Sequence, residues 1–544
     1  MSADTTPPVE PRPARLTFGI ELEFLIPYMK GNGPDPHADV EGLSPLFRLT
    51  QRDLEDIETG WRYPELIIHA RVRELLESHG LDLEIRSYKY DSDFEKGILR
   101  RYSCWSVVGD YSVQENLLDH PRDWTHAYSW IGVEVISPVE PDTPGAFKII
   151  DYVRQLLTST YRCRVNASTG LHVHVGQAAE RFSLQSMKRI ASLAWSAEKL
   201  LVTLNHPSRR AHYYTRTLRN MSRLSWRKPG SGPDHQEVNK LAGKPGATFA
   251  DRPLDEPRLC LHYIATDLRY GEQPISWREN PENNTTKHIE AFQETRKEGR
   301  FDPFQYKPGS EETFDERMER IFGKGSTNKA LVRKPTLEEE IKARAEAVSK
   351  LGVKTETWKG SFRKRTIPRI KYPHFTAKEL GHYSDKLLHY GGGGLDVYNL
   401  PADPGVWEGV RQIFKRPSSC DIEDLLNPGD RGYISFRAYS CHHTITKGYY
   451  DRTIEVRGAE GTLGDWIVPW AKICIGLIRF AIHARADEFM QVLDNCDKGE
   501  KTDGYFDAID LLDAIGLPEE AAAAEKRIER NKEGWGLEYV EEKE

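Results

Sequence analysis

The chain has 544 residues, a formal net charge of −7 and 29% charged residues. That slight negative balance gives no overall attraction to nucleic acid or to an anionic membrane, so neither is expected as a partner. The seven cysteines (Cys104, Cys163, Cys260, Cys420, Cys441, Cys474 and Cys496) are odd in number and include no C-x-x-C pair. They form neither a disulfide framework nor a zinc ribbon, and they suit a reducing, cytoplasmic setting.

Residues 1–15 carry no apolar run and are expected to be a disordered lead-in. From 16 to 26 the alternation is strict: Leu16, Phe18, Ile20, Leu22, Phe24 and Ile26 share one face, and Glu21 and Glu23 the other. A period of two predicts a strand and excludes a helix. Carboxylates two residues apart on a strand stand roughly 6–7 Å from each other, and a hard cation such as Mg²⁺ or Mn²⁺ relieves their repulsion.

Further elements follow in chain order. Residues 64–79 read as a helix stopped by Gly80. A strand is predicted over 105–113, with Asp110 and Ser112 on one face, and another over 130–139, with Glu134 opposite Ile131, Val133 and Val135. After a helix over 144–158 comes a strand at 170–175 that carries His172 and His174 opposite Leu171, Val173 and Val175. A core-facing helix follows over 183–204.

Residues 205–228 interleave arginines with aromatics and serve either as a phosphate- or base-binding stretch or as a solvated rim. Between 229 and 430 lies a polar insertion, expected to be partly disordered or a lid, with helical pieces at 335–350 and a solvated basic loop at 359–371. The glycine-rich runs at 323–329 and 391–394 lack the G-K-[ST] of a phosphate loop and read as flexible connections. Order returns with a strand at 433–440, which places Arg437 on its polar face. The strand 453–457 follows, with Glu455 and Arg457 opposite Ile454 and Val456. A helix is expected from Trp466 to Leu493, its apolar part too short to span a bilayer, and two short helices form the tail.

Every one of these strands pairs an aliphatic face with a polar one. Joined in one sheet, they gather carboxylates, imidazoles and guanidiniums on a single surface, with helices behind. So many like charges call for divalent cations and a polyphosphate, the parts of metal-assisted phosphoryl transfer.

The motifs G-I-E-L-E-F, D-x-S, V-E-V-I-S-P, G-L-H-V-H-V, P-S-R-R and T-I-E-V-R followed by G-T-L-x-x-W resemble the amidoligase family of the carboxylate–amine ligase superfamily, which includes glutamine synthetase and glutamate–cysteine ligase. The resemblance implies an α+β fold: a curved antiparallel sheet funnel of the glutamine synthetase catalytic type, backed by helices and here interrupted by a long polar insertion. It implies metal ligation by Glu21, Glu23, Glu134, His172 and Glu455. Arg457 would contact the transferring phosphate, and Arg209 or Arg210 the nucleotide or substrate carboxylate. His174 and Arg437 join these as cofactor-binding candidates. Asp110 would sit near the incoming amine, so Asp110, Glu455 and Arg457 form the catalytic set. The cofactors implied are ATP and Mg²⁺ (or Mn²⁺), and the partners a small-molecule or peptide carboxylate and an amine.

The organisation expected is a catalytic domain split over 16–228 and 431–495 around the insertion, with a charged helical tail at 496–544. Two other readings of the residues stay open: a zinc amidohydrolase using the H-x-H pair, or a non-catalytic nucleotide- or peptide-binding protein on the same fold.

Overall fold

The structure is a computed structural model, and it describes residues 16–60, 63–83, 104–115, 124–177, 181–212, 215–225, 363–372, 403–416, 419–426, 432–439 and 453–540. The expectations for 1–15, 323–329, 335–350 and 391–394 fall outside those residues.

The fold is mixed helix and sheet, built on an open, almost wholly antiparallel sheet. Its strands are β1 (Thr17–Lys30), β2 (Phe47–Leu49), β3 (Ser106–Val108), β4 (Ser129–Ile136), β5 (Glu140–Pro141), β6 (Gly170–Gly176), β7 (Ile434–Ser435) and β8 (Ile454–Glu460). The order across the sheet is β3-β4-β1-β6-β8-β7, with β2 and β5 also pairing β1 and only β2 parallel to it. The long first strand is therefore the axis of the sheet. Its alternation is realised as expected: Phe18, Ile20, Leu22, Phe24 and Ile26 are each at most 2% exposed. Burying each such side chain contributes roughly 1.5–3 kcal/mol, which fixes which face of β1 turns inward and so which face carries Glu21 and Glu23.

Helices cover the apolar face. Pro144–Thr160 starts with proline in its first turn behind the Thr143 cap, and Leu184–Leu201 starts behind Ser183, whose hydroxyl accepts from the Ser186 amide at 3.1 Å. The helix Ile467–His483 packs on β6 and against both of these, with Pro518–Trp535 beyond it. Enclosed in this way it can be apolar nearly all round. Among the described residues no helix is long and apolar enough to cross a membrane.

Several expectations are corrected. The strand expected over 105–113 stops at Val108. One carboxylate oxygen of Asp110 accepts from both the amide and the hydroxyl of Ser112, each at 2.7 Å, and this Asx turn ends the extended run. Tyr111 is left 86% exposed at its tip. The strand expected over 433–440 is only Ile434–Ser435; a 3₁₀ turn, Arg437–Tyr439, follows and leaves Arg437 exposed rather than on the sheet face. The helix expected from 466 to 493 divides after His483, because Ala484 is extended and a new helix, Ala486–Lys501, begins with Asp487 and Glu488 in its first turn. The tail is unequal: Ala508–Ala514 is short, but Pro518–Trp535 has 18 residues.

The basic stretch expected as a solvated loop is docked. Arg363 is 5% exposed and binds Asp513 (3.0 Å) and Glu525 (2.6 Å), while Arg365 binds Asp507 (2.7 Å) and Arg369 binds Asp510 (2.8 Å). The solvated-rim reading of 205–228 fails as well, since Arg209, Arg210 and Arg219 are buried.

Candidate active site

Strand register decides which polar side chains meet. Glu23 of β1 stands opposite Glu134 of β4, Glu21 of β1 opposite His172 of β6, and His174 of β6 opposite Glu455 of β8. Directly opposed side chains on an antiparallel pair share a face and lie close together. Four adjacent strands thus pool Glu134, Glu23, Glu21, His172, His174 and Glu455 on one surface.

Within that surface, ligand atoms of Glu21, His174 and Glu455 all lie within 4.8 Å of one another. His174 places Nε2 at 3.1 Å from Glu21 and 3.8 Å from Glu455, and its Nδ1 lies 3.1 Å from the hydroxyl of Thr453. The Thr453 contact fixes the ring orientation in the way that outer partners of metal-binding histidines do. Two carboxylates and one imidazole are a donor set that fits Mn²⁺ or Mg²⁺, with the carboxylates supplying hard oxygens. His172 stands one step away: its Nδ1 meets Glu21 at 2.9 Å and its Nε2 lies 3.5 Å from Glu23. The structure therefore groups His174, rather than His172, with Glu21 and Glu455.

Glu23 is 4% exposed, and its second oxygen accepts from the Gly170 amide at 2.6 Å. A Cβ on Gly170 would stand 2.6 Å from His172 Nε2, 3.0 Å from Arg209 Nη2 and 3.2 Å from Glu23 Oε2. Gly170 is thus required where these three groups converge. Arg457 forms an ion pair with Glu455 on its own strand. Its guanidinium is held charged, burial being outweighed by Glu455, Glu23 and Glu21.

The electrostatics follow from this crowding. Glu134 is pushed up to about 9, by burial first and then by the negative charges of Glu21, Glu23 and Asp110. Glu23 is also raised, chiefly by burial. Burial works against ionisation of Glu21 too, but His174 and His172 outweigh it and hold that carboxyl well below the usual range. In return His174 is raised to about 9, because Glu21 and Glu455 overcome its burial. Glu455 is lowered, Arg457 and His174 outweighing burial.

Asp110 reaches this surface from its turn rather than from a strand, close enough for its charge to raise both Glu23 and Glu134. Arg209 meets Glu23 and His172 beside Gly170. It is 2% exposed and donates to the carbonyls of Arg457 (2.9 Å) and Thr169 (3.3 Å), so it ties the start of β6 to β8. Arg210 donates to the carbonyl of Val202 at 3.2 Å, and Arg437 is exposed on its 3₁₀ turn; neither joins the cluster. Thr169 and Ser168 are not marked out by any sequence pattern. Only the glycine at the head of β6 gave a signal, as a small residue beside a cluster of large polar ones.

The architecture is a mixed helix–sheet fold whose open antiparallel sheet carries this acidic and imidazole surface. Residues 14–241 match the family described as "Putative amidoligase enzyme", so this stretch of the chain is similar to that ligase-type family. Strands β1 to β6 lie inside the matched stretch, whereas β8, with Glu455 and Arg457, lies beyond it. No curated protein and no solved structure matches the chain.

Proposed function

We propose that the protein is an ATP-dependent ligase that joins a carboxylate to an amine, with Mg²⁺ or Mn²⁺ as cofactor, and that its sheet is a funnel of the glutamine synthetase catalytic type. The observation that carries this reading is the convergence of Glu21, His174 and Glu455 from three adjacent strands, with the Arg457 guanidinium ion-paired to the last of them.

Glu21, His174 and Glu455 would hold a divalent cation, with Glu23 and Glu134 available beside them; such an ion binds phosphate oxygens and neutralises their charge. The chain's own groups account for the rest. Arg457, kept charged by Glu455, offers a guanidinium to the phosphoryl group in transfer. The substrate carboxylate attacks the γ-phosphorus of ATP, ADP leaves, and an acyl phosphate results. The amine then attacks the acyl carbon and phosphate departs. Asp110, whose second carboxylate oxygen is not used by the Ser112 turn, holds the ammonium form and takes its proton. The substrates are small-molecule or peptide carboxylates and amines.

The test is nucleotide turnover by the full chain with MgATP and pooled amino acids and polyamines, beside a Glu455→Gln variant. ADP and phosphate formed only by the unsubstituted protein support the ligase. AMP and pyrophosphate would mean an adenylate mechanism and remove the assigned role of Arg457. Tight Zn²⁺ binding with no affinity for nucleotide would replace the ligase by a hydrolase.

A further inference from the structure

The turn that carries Asp110 belongs to a strap, residues 109–115, which crosses the polar face and is tied at both ends. At its start, Gly109 lies so close to the side chains of Glu65 and His69 on the helix Pro64–Ser78 that no Cβ fits. In its middle, Val113 lies against Gly132 of β4, again with no room for a Cβ. At its far end, the single hydroxyl of Ser168 accepts from the Gln114 amide at 3.0 Å and donates to the Gln114 carbonyl at 3.0 Å. Asn166 Nδ2 donates to the same carbonyl at 2.9 Å, and Asn166 Oδ1, 2.6 Å from the Ser168 hydroxyl, shares that hydroxyl's single proton with the carbonyl. Glu115 is bound by Arg164 at 2.8 Å, and that guanidinium lies 4.8 Å from the ring centre of Trp124 and 5.8 Å from that of Trp130.

Every far-end tie comes from residues 164–168, which run directly into Thr169, Gly170 and His172. The amide of Gly170 holds Glu23, and β6 carries both histidines. One short stretch therefore grips the Asp110 turn with its first half and the metal-binding surface with its second. Ser168 is 3% exposed, and its hydroxyl and the Asn166 side chain together satisfy both backbone groups of Gln114 in place of a pair of ladder bonds.

We infer that Ser168 is a positioning residue, which with Asn166 and the Arg164–Glu115 pair holds the Asp110 carboxylate at a set distance from the Glu21/His174/Glu455 cluster. The consequence for amine attack rests on the ligase reading; the mechanical claim does not. Loss of the hydroxyl removes the bond to the Gln114 amide, loosens residues 112–114 and leaves the metal cluster alone.

The test uses the full chain as Ser168→Ala, Ser168→Thr, Asp110→Asn and the Ser168→Ala/Asp110→Asn double variant. Amide exchange is expected to rise at least tenfold at Ser112, Val113 and Gln114 in Ser168→Ala, with Mn²⁺ affinity within twofold of the unsubstituted protein. Ser168→Thr, which keeps the hydroxyl, restores slow exchange. Faster exchange confined to Gln114, or a parallel loss of Mn²⁺ affinity, would overturn the proposal. In ADP release with hydroxylamine as the probe amine and pooled amino acids as carboxylates, Ser168→Ala raises the KM for hydroxylamine, and the double variant is no worse than Asp110→Asn alone. Additive losses would also overturn it. Absence of turnover in every protein would defeat the ligase reading, and the exchange and Mn²⁺ data would then decide the positioning claim.

Discussion

Glu23 and Glu134 are register partners across the β1–β4 ladder, two carboxyl groups set directly opposite each other on one face of the sheet. Like charges in that relationship destabilise an antiparallel pair. Such a pair persists with a proton held on one carboxyl, as the value of about 9 for Glu134 indicates, and a bound cation would take that proton's place. Glu134→Gln removes the repulsion without removing bulk. Its thermal midpoint in EDTA is expected to equal or exceed that of the unsubstituted chain. Added Mn²⁺ should raise the midpoint of the unsubstituted protein clearly more than that of the variant, since a ligand at a hundred times its Kd contributes about 2.7 kcal/mol. Equal gains in both proteins would take Glu134 out of the cation-binding surface.

Gly170 gives a sharper probe of the same surface. Alanine there would press on His172, Arg209 and Glu23 together, while strand backbone accepts alanine readily. Gly170→Ala is expected to keep its far-UV circular dichroism and lose at least tenfold in Mn²⁺ affinity, the size of effect seen when groups supporting a metal ligand are disturbed. Titration followed by the electron paramagnetic resonance of free Mn²⁺ reads this directly. An unchanged affinity would show that His172 and Glu23 can shift without disturbing Glu21.

The strand faces of this site are legible in the sequence because a fully apolar row such as Phe18, Ile20, Leu22, Phe24 can only turn inward, and the residues between must then share the other side. Register is not legible in the same way. Alternation places His172 and His174 on one face but says nothing about which of them faces Glu455; that depends on how far β6 slides along β8, and a bulge interrupts that ladder between Leu171 and Val173. Burial of arginines is hidden for a related reason. Arg209 is enclosed by the carbonyls of Thr169 and Arg457, the second of them 248 residues away in the chain. Asp110 lies near Glu23 and Glu134 but on a turn and not on a strand, because Asp-x-Ser supports an Asx turn as well as it alternates.

Asp403 links acid stability to the return of the chain from its insertion. Its carboxylate binds Arg219, which is 1% exposed, at 2.5 Å and also pairs with Lys199. Its side chain is 30% exposed, and those two cations outweigh its partial desolvation and hold its pKa down to about 2. A carboxylate depressed in the folded state contributes stability that is present above its unfolded value, about 3.9, and is lost as pH falls through its folded value. The stability difference between the unsubstituted protein and Asp403→Asn is therefore expected to be constant above about pH 5, on the order of 1 kcal/mol once solvent screening of this exposed residue is allowed for. It should shrink steadily from about pH 4 towards pH 2. Urea titrations at a series of pH values measure it. A difference that grows on acidification would contradict the ion pairing.

Arg363 tests whether the docked basic stretch is part of the fold or an accessory to it. It binds Asp513 and Glu525, which lie 150 and 162 residues further along the chain and have side chains that are 0% and 1% exposed. Glu525 also accepts from the amide and the hydroxyl of Thr366, at 3.2 and 2.9 Å. The helices Ala508–Ala514 and Pro518–Trp535 thus present buried acids whose main cation comes from the insertion. Removing one partner of a buried pair leaves the other charge uncompensated and costs about 3–5 kcal/mol. Arg363→Ala is expected to lose stability on that scale in the C-terminal helices, read as faster amide exchange there and an earlier urea transition. Arg363→Lys should recover only part of it, since one ammonium cannot reproduce the forked geometry that meets two carboxylates. The same helix carries Arg527, which pairs with Glu460 at the end of β8 and lies between the rings of Trp466 and Trp535, 4.7 and 5.1 Å from their centres. Loosening at Arg363 should therefore reach β8, and exchange at Val456 and Arg457 should rise in Arg363→Ala as well. A loss confined to residues 508–540 would show that the clasp at Arg527 isolates β8 from the insertion.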